Sequence, residues 1–155
     1  MKPSAGVLMY RRQGGRLEVL LVHPGGPYWA KKDDGAWTIP KGEHEASEEP
    51  RAAALREFTE ETGLVPCGPL VALTPVRQRG GKLVRAWAVE GDCDPAAVRS
   101  NTFTMEWPPR SGRTAEFPEV DRGAWFDVAT ARRKIRESQA ALLDELEHLL
   151  RLPAP

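Results

Sequence analysis

Three glutamates, Glu57, Glu60 and Glu61, stand at i, i+3 and i+4 in the run Arg56-Glu57-Phe58-Thr59-Glu60-Glu61-Thr62-Gly63. On a helix that spacing puts their carboxylates on one face. Like charges so placed cost a helix about 0.2–0.5 kcal/mol per pair, and a solvated charged face ordinarily avoids this by mixing signs. Here seven glutamates lie between Glu43 and Glu61, against Arg51 and Arg56. Crowded oxygen ligands select a hard cation such as Mg²⁺, Mn²⁺ or Ca²⁺ over zinc, and Mg²⁺ completes its shell with water and substrate phosphates. Helical spacing by itself leaves a plain acidic surface standing beside the metal reading.

The elements that must hold these side chains are legible from period and punctuation. The pattern is helical from about Ser47 to Thr62, with Ala52, Leu55, Phe58 and Thr62 on one face. Pro50 suits the first turn, Glu48 and Glu49 suit the positive end of the helix dipole, and Gly63 stands where a C-terminal cap glycine belongs. Ala5–Arg11 and Leu17–His23 read as strands joined by a turn at Gln13-Gly14-Gly15. Trp37-Thr38-Ile39-Pro40 is a short strand-like piece, and Gly123–Phe126 reads as one more strand. Leu70–Gln78 and Leu83–Val89 read as a hairpin around Gly80-Gly81. Residues 91–120 are Pro-rich and polar, without a periodic pattern. Val128–Leu150 reads as helix in two pieces broken near Ser138, with Leu142, Leu143, Leu146, Leu149 and Leu150 as its packing stripe. Strands on both sides of a central helix, with a helix at the end, predict an α/β domain with a mixed sheet between helices.

The whole segment from Gly42 to Leu64 resembles the signature of the Nudix hydrolase family: Gly, five residues, Glu, seven residues, then Arg-Glu-apolar-any-Glu-Glu-any-Gly-apolar. Gly42, Glu48, Arg56, Glu57, Phe58, Glu60, Glu61, Gly63 and Leu64 fill every fixed slot. Nine constrained positions in one segment are far more specific than a lone glycine motif. The order of strands and the final helix is also similar to that family's α/β/α sandwich, so one such domain is expected over 1–155. The resemblance implies metal-dependent hydrolysis, with Mg²⁺ or Mn²⁺, of a nucleoside diphosphate linked to a further group. It implies Glu57, Glu60 and Glu61 as metal ligands, with the Gly42 carbonyl completing the site. Arg56 would orient a neighbouring carboxylate, and Glu48 would fix the loop onto the helix. The general base varies within the family, and Glu60 is a candidate here. A further glutamate before the last strand often joins the metals; Glu119 suits this better than Glu116 by its spacing to Trp125. The run Trp37-Thr38-Ile39-Pro40-Lys41-Gly42 resembles the approach to the box in diadenosine polyphosphate hydrolases and some RNA-decapping relatives.

A pyrophosphate repels anionic nucleophiles, so a site for it needs positive charge beside the acids. Lys41 is one candidate for phosphate contact. The hairpin supplies Arg77, Arg79, Lys82 and Arg85 without an acid among them. A two-residue turn at Gly80-Gly81 would set Arg79 opposite Lys82, making Arg77, Arg79 and Lys82 one patch with Arg85 on the other face. A charged edge hairpin protected from aggregation is the plain alternative. Tyr28, Trp29 and Trp107 could stack on a base or simply pack. Arg110 and Arg113 lie in the long polar stretch, which could be a lid. Lys31 and Lys32 are either exposed or near phosphate. His23, His44 and His148 show no metal spacing.

Composition narrows the classes. The chain has 155 residues, 22 basic and 22 acidic side chains and net charge +0. That excludes a highly charged disordered chain and a globally basic nucleic-acid binder, so stable nucleic-acid binding is not expected. No stretch nears the roughly 20 apolar residues of a membrane span. Met1–Tyr10 is too short and polar for a signal peptide, and Cys67 and Cys93 show no ligand or redox spacing, so reduced thiols in the cytoplasm are expected. The leading function is pyrophosphohydrolysis of a nucleoside triphosphate or dinucleoside polyphosphate. RNA 5′ ends, nucleotide sugars and inositol pyrophosphates are the alternative substrates, and a nucleotide-sensing module without turnover is the non-enzyme reading. Oligomeric state, monomer or homodimer, is not fixed by the sequence.

Overall fold

The computed structural model describes residues 1–151; residues 152–155 of the domain expected over 1–155 lie outside the described residues. The strands are β1 (Ser4–Gln13), β2 (Arg16–Pro24), β3 (Lys41–Glu43), β4 (Val71–Ala72), β5 (Val76–Arg77), β6 (Leu83–Glu90), β7 (Thr102–Glu106), β8 (Thr114–Pro118) and β9 (Val120–Asp127). The helices are α1 (Pro50–Thr62), α2 (Val128–Lys134) and α3 (Ala140–Arg151). A mixed seven-stranded sheet runs β4-β6-β1-β2-β9, with β3 on β1 and β5 on β6, and β7-β8 form a separate hairpin. Among the named strands of the described residues β1 and β6 pair in parallel, and the other pairs are antiparallel.

Alternation along the strands divides the core into two layers. Ala5, Val7, Met9 and Leu20 face α1, where they pack against Ala53, Ala54 and Phe58. Leu8, Val19 and Leu21 face the other way, onto Val128 and Ala131 of α2 and Leu142, Leu143 and Leu146 of α3. The result is the predicted α/β/α sandwich. Helix α1 begins at Pro50 rather than Ser47, because Glu49 is its cap: the Glu49 carboxylate accepts from the Arg51 and Ala52 amides at 3.0 and 2.9 Å. Gly63 ends it in the left-handed region at φ 75°, as predicted. The buried face is Ala53, Ala54, Phe58 and Thr62, whereas Ala52 is exposed and Leu55 half-buried. Three consecutive alanines carry no phase, so the expected face was rotated by one residue at its start.

The pairing of β1 is what prepares a site. Tyr10–Gln13 pair with β2, but Ser4–Gly6 pair with β3 instead. The segment before β3 fills the gap, with Val22 and Thr38 exchanging backbone hydrogen bonds and the Val7 amide donating to Pro40. Gly6 permits that approach, since a Cβ there would lie 2.4 Å from the Pro40 carbonyl oxygen. The far side is held by Gln139, fully buried between α2 and α3. Its Oε1 accepts from the Ile39 amide at 3.0 Å, and its Nε2 donates to Thr38 Oγ1 at 2.8 Å.

Two expectations are corrected. The β5–β6 connection is a three-residue loop, Arg79-Gly80-Gly81: Gln78 and Lys82 close it and Arg77 pairs with Leu83. Both glycines take positive φ, near 90°, which a two-residue reading places one step too early. The unassigned stretch 91–120 holds the β7-β8 hairpin, with Arg110 and Arg113 exposed at its tip. Replacing Gln139 by Ala would orphan the buried Ile39 amide. Denaturant unfolding should then show a loss of about 1–3 kcal/mol.

Candidate functional site

The C-terminal half of α1 lies against β3, and its acidic flank opens onto a cavity of about 470 Å³. Glu57, Glu60 and Glu61 all line it, together with Lys41, Gly42, Glu43, Lys82 and Glu119. Five of the sequence-predicted metal and catalytic positions therefore meet there. Arg56 stands outside the cavity wall and gathers the acids. Its Nε and Nη2 clasp both oxygens of Glu48 at 2.8 Å, and its Nη1 reaches Glu57 at 2.9 Å and Glu60 at 3.1 Å. These are charge-assisted bonds, the stronger class of hydrogen bond. They hold the guanidinium pKa above its ordinary value, with the Glu48 bond the largest cause.

Gly42 is the closest approach in the site. A Cβ there would fall 1.9 Å from Glu57 Oε2, so only glycine leaves the carboxylate room. Glu61 lies deepest, and its Oε1 accepts from the Lys41 amide at 3.3 Å. Burial pushes its carboxyl up to about 8, with the Glu57 and Glu119 charges adding to the effect. Burial also raises Glu57 and Glu119. Lys41 is shifted down, first by burial.

Glu119 owes its place to backbone pairing. The Asn101 amide donates to the Glu60 carbonyl, the Glu119 amide to Asn101, and the Gly25 amide to Glu119, each at 2.9 Å. This strings the residue from the end of α1 to the end of β2. Glu116 sits within β8, exposed and opposite Thr104, away from the cavity.

The basic candidates divide. Lys82 lines the acidic cavity and pairs with Glu43. Arg79 lines a neighbouring cavity, and Arg77 bonds the Gly81 carbonyl at 3.1 Å. With Arg77 opposite Leu83, alternation puts Arg77 on the Arg85 face and Lys82 on the other. The single patch of Arg77, Arg79 and Lys82 is thus replaced by two locations. Tyr28 and Trp107 meet edge to face at 5.6 Å. Tyr28 and Trp29 line a further cavity of about 330 Å³ with Phe103 and Met105, which shares Pro24 and Glu119 with the acidic one. His23 is buried between the Asp121 carboxylate at 3.0 Å and the Lys32 carbonyl at 2.6 Å, and edge-on to Trp37. His44 is buried with Nδ1 on the Glu45 carbonyl, and His148 is exposed on α3.

Sequence reading missed Arg136 and Ser4, which both line the acidic cavity. Ser4 Oγ is buried with no hydrogen-bond partner among the described residues. A hydroxyl opening the apolar run of β1 was the available signal; Arg136 carries none, since it lies at an ordinary break between helices. Among the described residues no three His, Cys, Asp or Glu side chains stand together as a ready cage for an ion. Glu57 and Glu60 are turned to Arg56 instead. The donor set nevertheless suits a hard cation: carboxylates only, around a glycine that brings main chain against them.

The Glu61 shift has a consequence for stability. A carboxyl held at about 8 keeps its proton in the folded state at pH values where the unfolded chain has released it. Stability is therefore lost as pH rises from the ordinary carboxylate range to about 8, by at most ~1.4 kcal/mol per pH unit. Glu57 and Glu119 act in the same sense. Lys41 acts oppositely, between its lowered value and its ordinary one of 10.5. Denaturant midpoints measured with a chelator present should fall from pH 5 to pH 8, and Glu61→Gln should remove most of the slope.

A family model described as NUDIX domain matches residues 1–146. Over 132 residues the chain is 31% identical to a protein of Myxococcus xanthus named octanoyltransferase, which covers 85% of this chain and 32% of that one. Over 67 residues it is 40% identical to an RNA pyrophosphohydrolase of Roseobacter denitrificans, covering 42% of this chain and 36% of that one. It thus spans about a third of the length of the curated relatives it matches. Among solved structures, an Ap4A hydrolase of C. elegans in a binary complex superposes with a TM-score of 0.66 at 22% identity, over 97% of this chain and 98% of that one. With the family model spanning nearly all of the sandwich and the glutamate box intact within it, the chain belongs to the NUDIX family.

Proposed function

We propose that this chain hydrolyses a pyrophosphate linkage in a nucleoside polyphosphate, either a nucleoside triphosphate or a dinucleoside polyphosphate, with water attacking phosphorus. The observation that carries the reading is the meeting of five carboxylates, Glu43, Glu57, Glu60, Glu61 and Glu119, with Lys41 and Lys82 in one cavity. Acids alone would repel a polyphosphate, and cations alone would bind it without activating water. Glu57, Glu60, Glu61, Glu119 and the Gly42 carbonyl would hold Mg²⁺ or Mn²⁺. When bound, the cation neutralises phosphate oxygens and acidifies a water molecule.

The chain's own groups supply the rest. Lys41 and Lys82 bind the non-bridging oxygens. Glu60 accepts the proton of the attacking water. Arg56 is a positioning residue: anchored on Glu48, it sets where the Glu57 and Glu60 carboxylates lie. The cavity of Tyr28, Trp29, Phe103 and Met105 takes the nucleobase, since it adjoins the acidic cavity through Pro24 and Glu119. The partner is a small nucleotide. Among the described residues no helix is long and apolar enough to cross a membrane, and Cys67 and Cys93 are free thiols, which supports a cytoplasmic protein. A triphosphorylated or capped RNA 5′ end is a second reading, favoured by the 40% identity to an RNA pyrophosphohydrolase over 67 residues. The net charge of +0 offers a longer RNA little hold.

Turnover of a nucleotide panel with Mg²⁺ or Mn²⁺, run in ¹⁸O water, tests the reaction and identifies the phosphorus attacked. Glu57→Gln and Glu60→Gln should each lower kcat by about 10²–10⁴-fold. Unchanged hydrolysis in both variants refutes the site, while nucleotide binding without turnover in the unaltered protein marks a sensor. Glu119→Gln should reduce kcat/KM at least tenfold, whereas Glu116→Gln should stay within twofold; equal effects would remove Glu119 from the site.

A further inference from the structure

Next to the acidic cavity lies a second one of about 680 Å³, whose walls include Trp29, Gln78, Arg79, Arg136 and Ser138. Arg136 lines both. It lies one residue beyond Ile135, which caps the end of α2, and its amide donates to the Trp37 carbonyl at 2.8 Å, so its backbone is fixed to the segment leading into β3. Its guanidinium stands 4.8 Å from the centre of the Trp29 ring. Arg11, Arg56 and Arg132, by contrast, are each matched by acids: Arg11 by Glu18 and Asp92, Arg56 by Glu48, Glu57 and Glu60, and Arg132 by Asp144 and Glu147. Arg136 is half-buried, and among the described residues no carboxylate pairs with it; burial is the sole cause acting on its charge.

A partly desolvated guanidinium without a counter-charge is unfavourable unless an anion completes it. The planar fork suits phosphate oxygens. Two further donors point to the same ligand. Gln78 Nε2 is buried without a hydrogen-bond partner among the described residues, and Gln78 lines this second cavity. Arg79, displaced from the hairpin patch by the three-residue loop, is exposed on the same wall. Glu137 is the acid on that wall, adjacent in sequence to Arg136 and exposed. Taken in order, Lys82 and Lys41, then Arg136, then Arg79 and Gln78 form a track of donors leading away from Glu57 and Glu61.

We infer that the second cavity is the subsite for the distal phosphates of the substrate, so that a polyphosphate chain longer than the scissile diphosphate passes Arg136 and ends among Arg79, Gln78 and Ser138. This rests on the reading of the acidic cavity as the site of pyrophosphate cleavage, and it selects within that reading: extended polyphosphates are preferred to two-phosphate compounds such as ADP-ribose.

Two measurements test it, on the full chain with Mg²⁺ present. In the first, kcat/KM is measured for diadenosine tetraphosphate and for ADP-ribose. In Arg79→Gln and Arg136→Gln the loss for the tetraphosphate should exceed the loss for ADP-ribose at least tenfold, mainly through KM, with Arg136→Lys restoring part of it. In the second, calorimetry follows binding of inorganic tripolyphosphate, and Arg79→Gln should weaken it at least fivefold. Equal losses on both substrates, or tripolyphosphate bound equally by the unaltered chain and Arg79→Gln, overturns the subsite, as does no tripolyphosphate binding at all. If the unaltered chain cleaves no pyrophosphate but binds tripolyphosphate through Arg79, the subsite stands and the proposed hydrolysis fails.

Discussion

Mutual repulsion among the carboxylates on one flank of α1 is the constraint to which the surrounding structure answers. Glu57, Glu60 and Glu61 lie within one turn, and Glu119 is brought up to them from another part of the chain. Their charges are contained in two ways. Arg56, itself anchored on Glu48, draws Glu57 and Glu60 outward. Glu61 is buried deeply enough that its neutral form is favoured over a wide pH range. Neither arrangement would persist on an isolated helix, where such pairs only destabilise. It persists because the opposite flank of α1 is fixed by Ala53, Ala54 and Phe58 against β1.

The scaffold's contribution is close placement of main chain. Gly6 lets Pro40 approach β1, and Gly42 lets β3 approach Glu57. Gln139 holds the same segment from the other layer with buried hydrogen bonds. The acidic cavity is therefore bounded by β3 and one helix, with Lys82 from the loop before β6, Glu119 from between β8 and β9, and Arg136 from the connection after α2 at its margins. Such a site depends on rigid elements, and positioning to fractions of an ångström is what phosphoryl chemistry requires.

The sandwich, the glycine-capped end of α1 and the acid cluster were legible in the residues, because period, glycine and charge spacing are local signals. Glu119 could be preferred over Glu116 by its distance from the last strand, although its actual support is the chain of backbone bonds through Asn101 and Gly25. What escaped was non-local. The face of α1 slipped by one residue because an alanine run has no phase. The hairpin register slipped because two glycines fit a loop of either length. The β7-β8 hairpin escaped because its strands, Thr102–Glu106 and Thr114–Pro118, bury few side chains and alternate only between half-buried and exposed. Arg136 gives no sign in sequence, since what distinguishes it is that no carboxylate among the described residues meets it in space.

The divided pairing of β1 also bears on how the chain can vary in length. From Val22 to Glu43 each point of attachment is registered against a different element: Thr38 on β2, Ile39 on Gln139, and Lys41–Glu43 on β1. One residue added or removed between Thr38 and Glu43 would shift every later attachment and turn Gly42 away from Glu57. The tips at Gly14-Gly15 and at Arg110–Gly112 have no such double bookings, being exposed ends of two-stranded hairpins. Insertions and deletions among descendants of this chain should therefore gather at those tips and spare the stretch that leads into the glutamate helix.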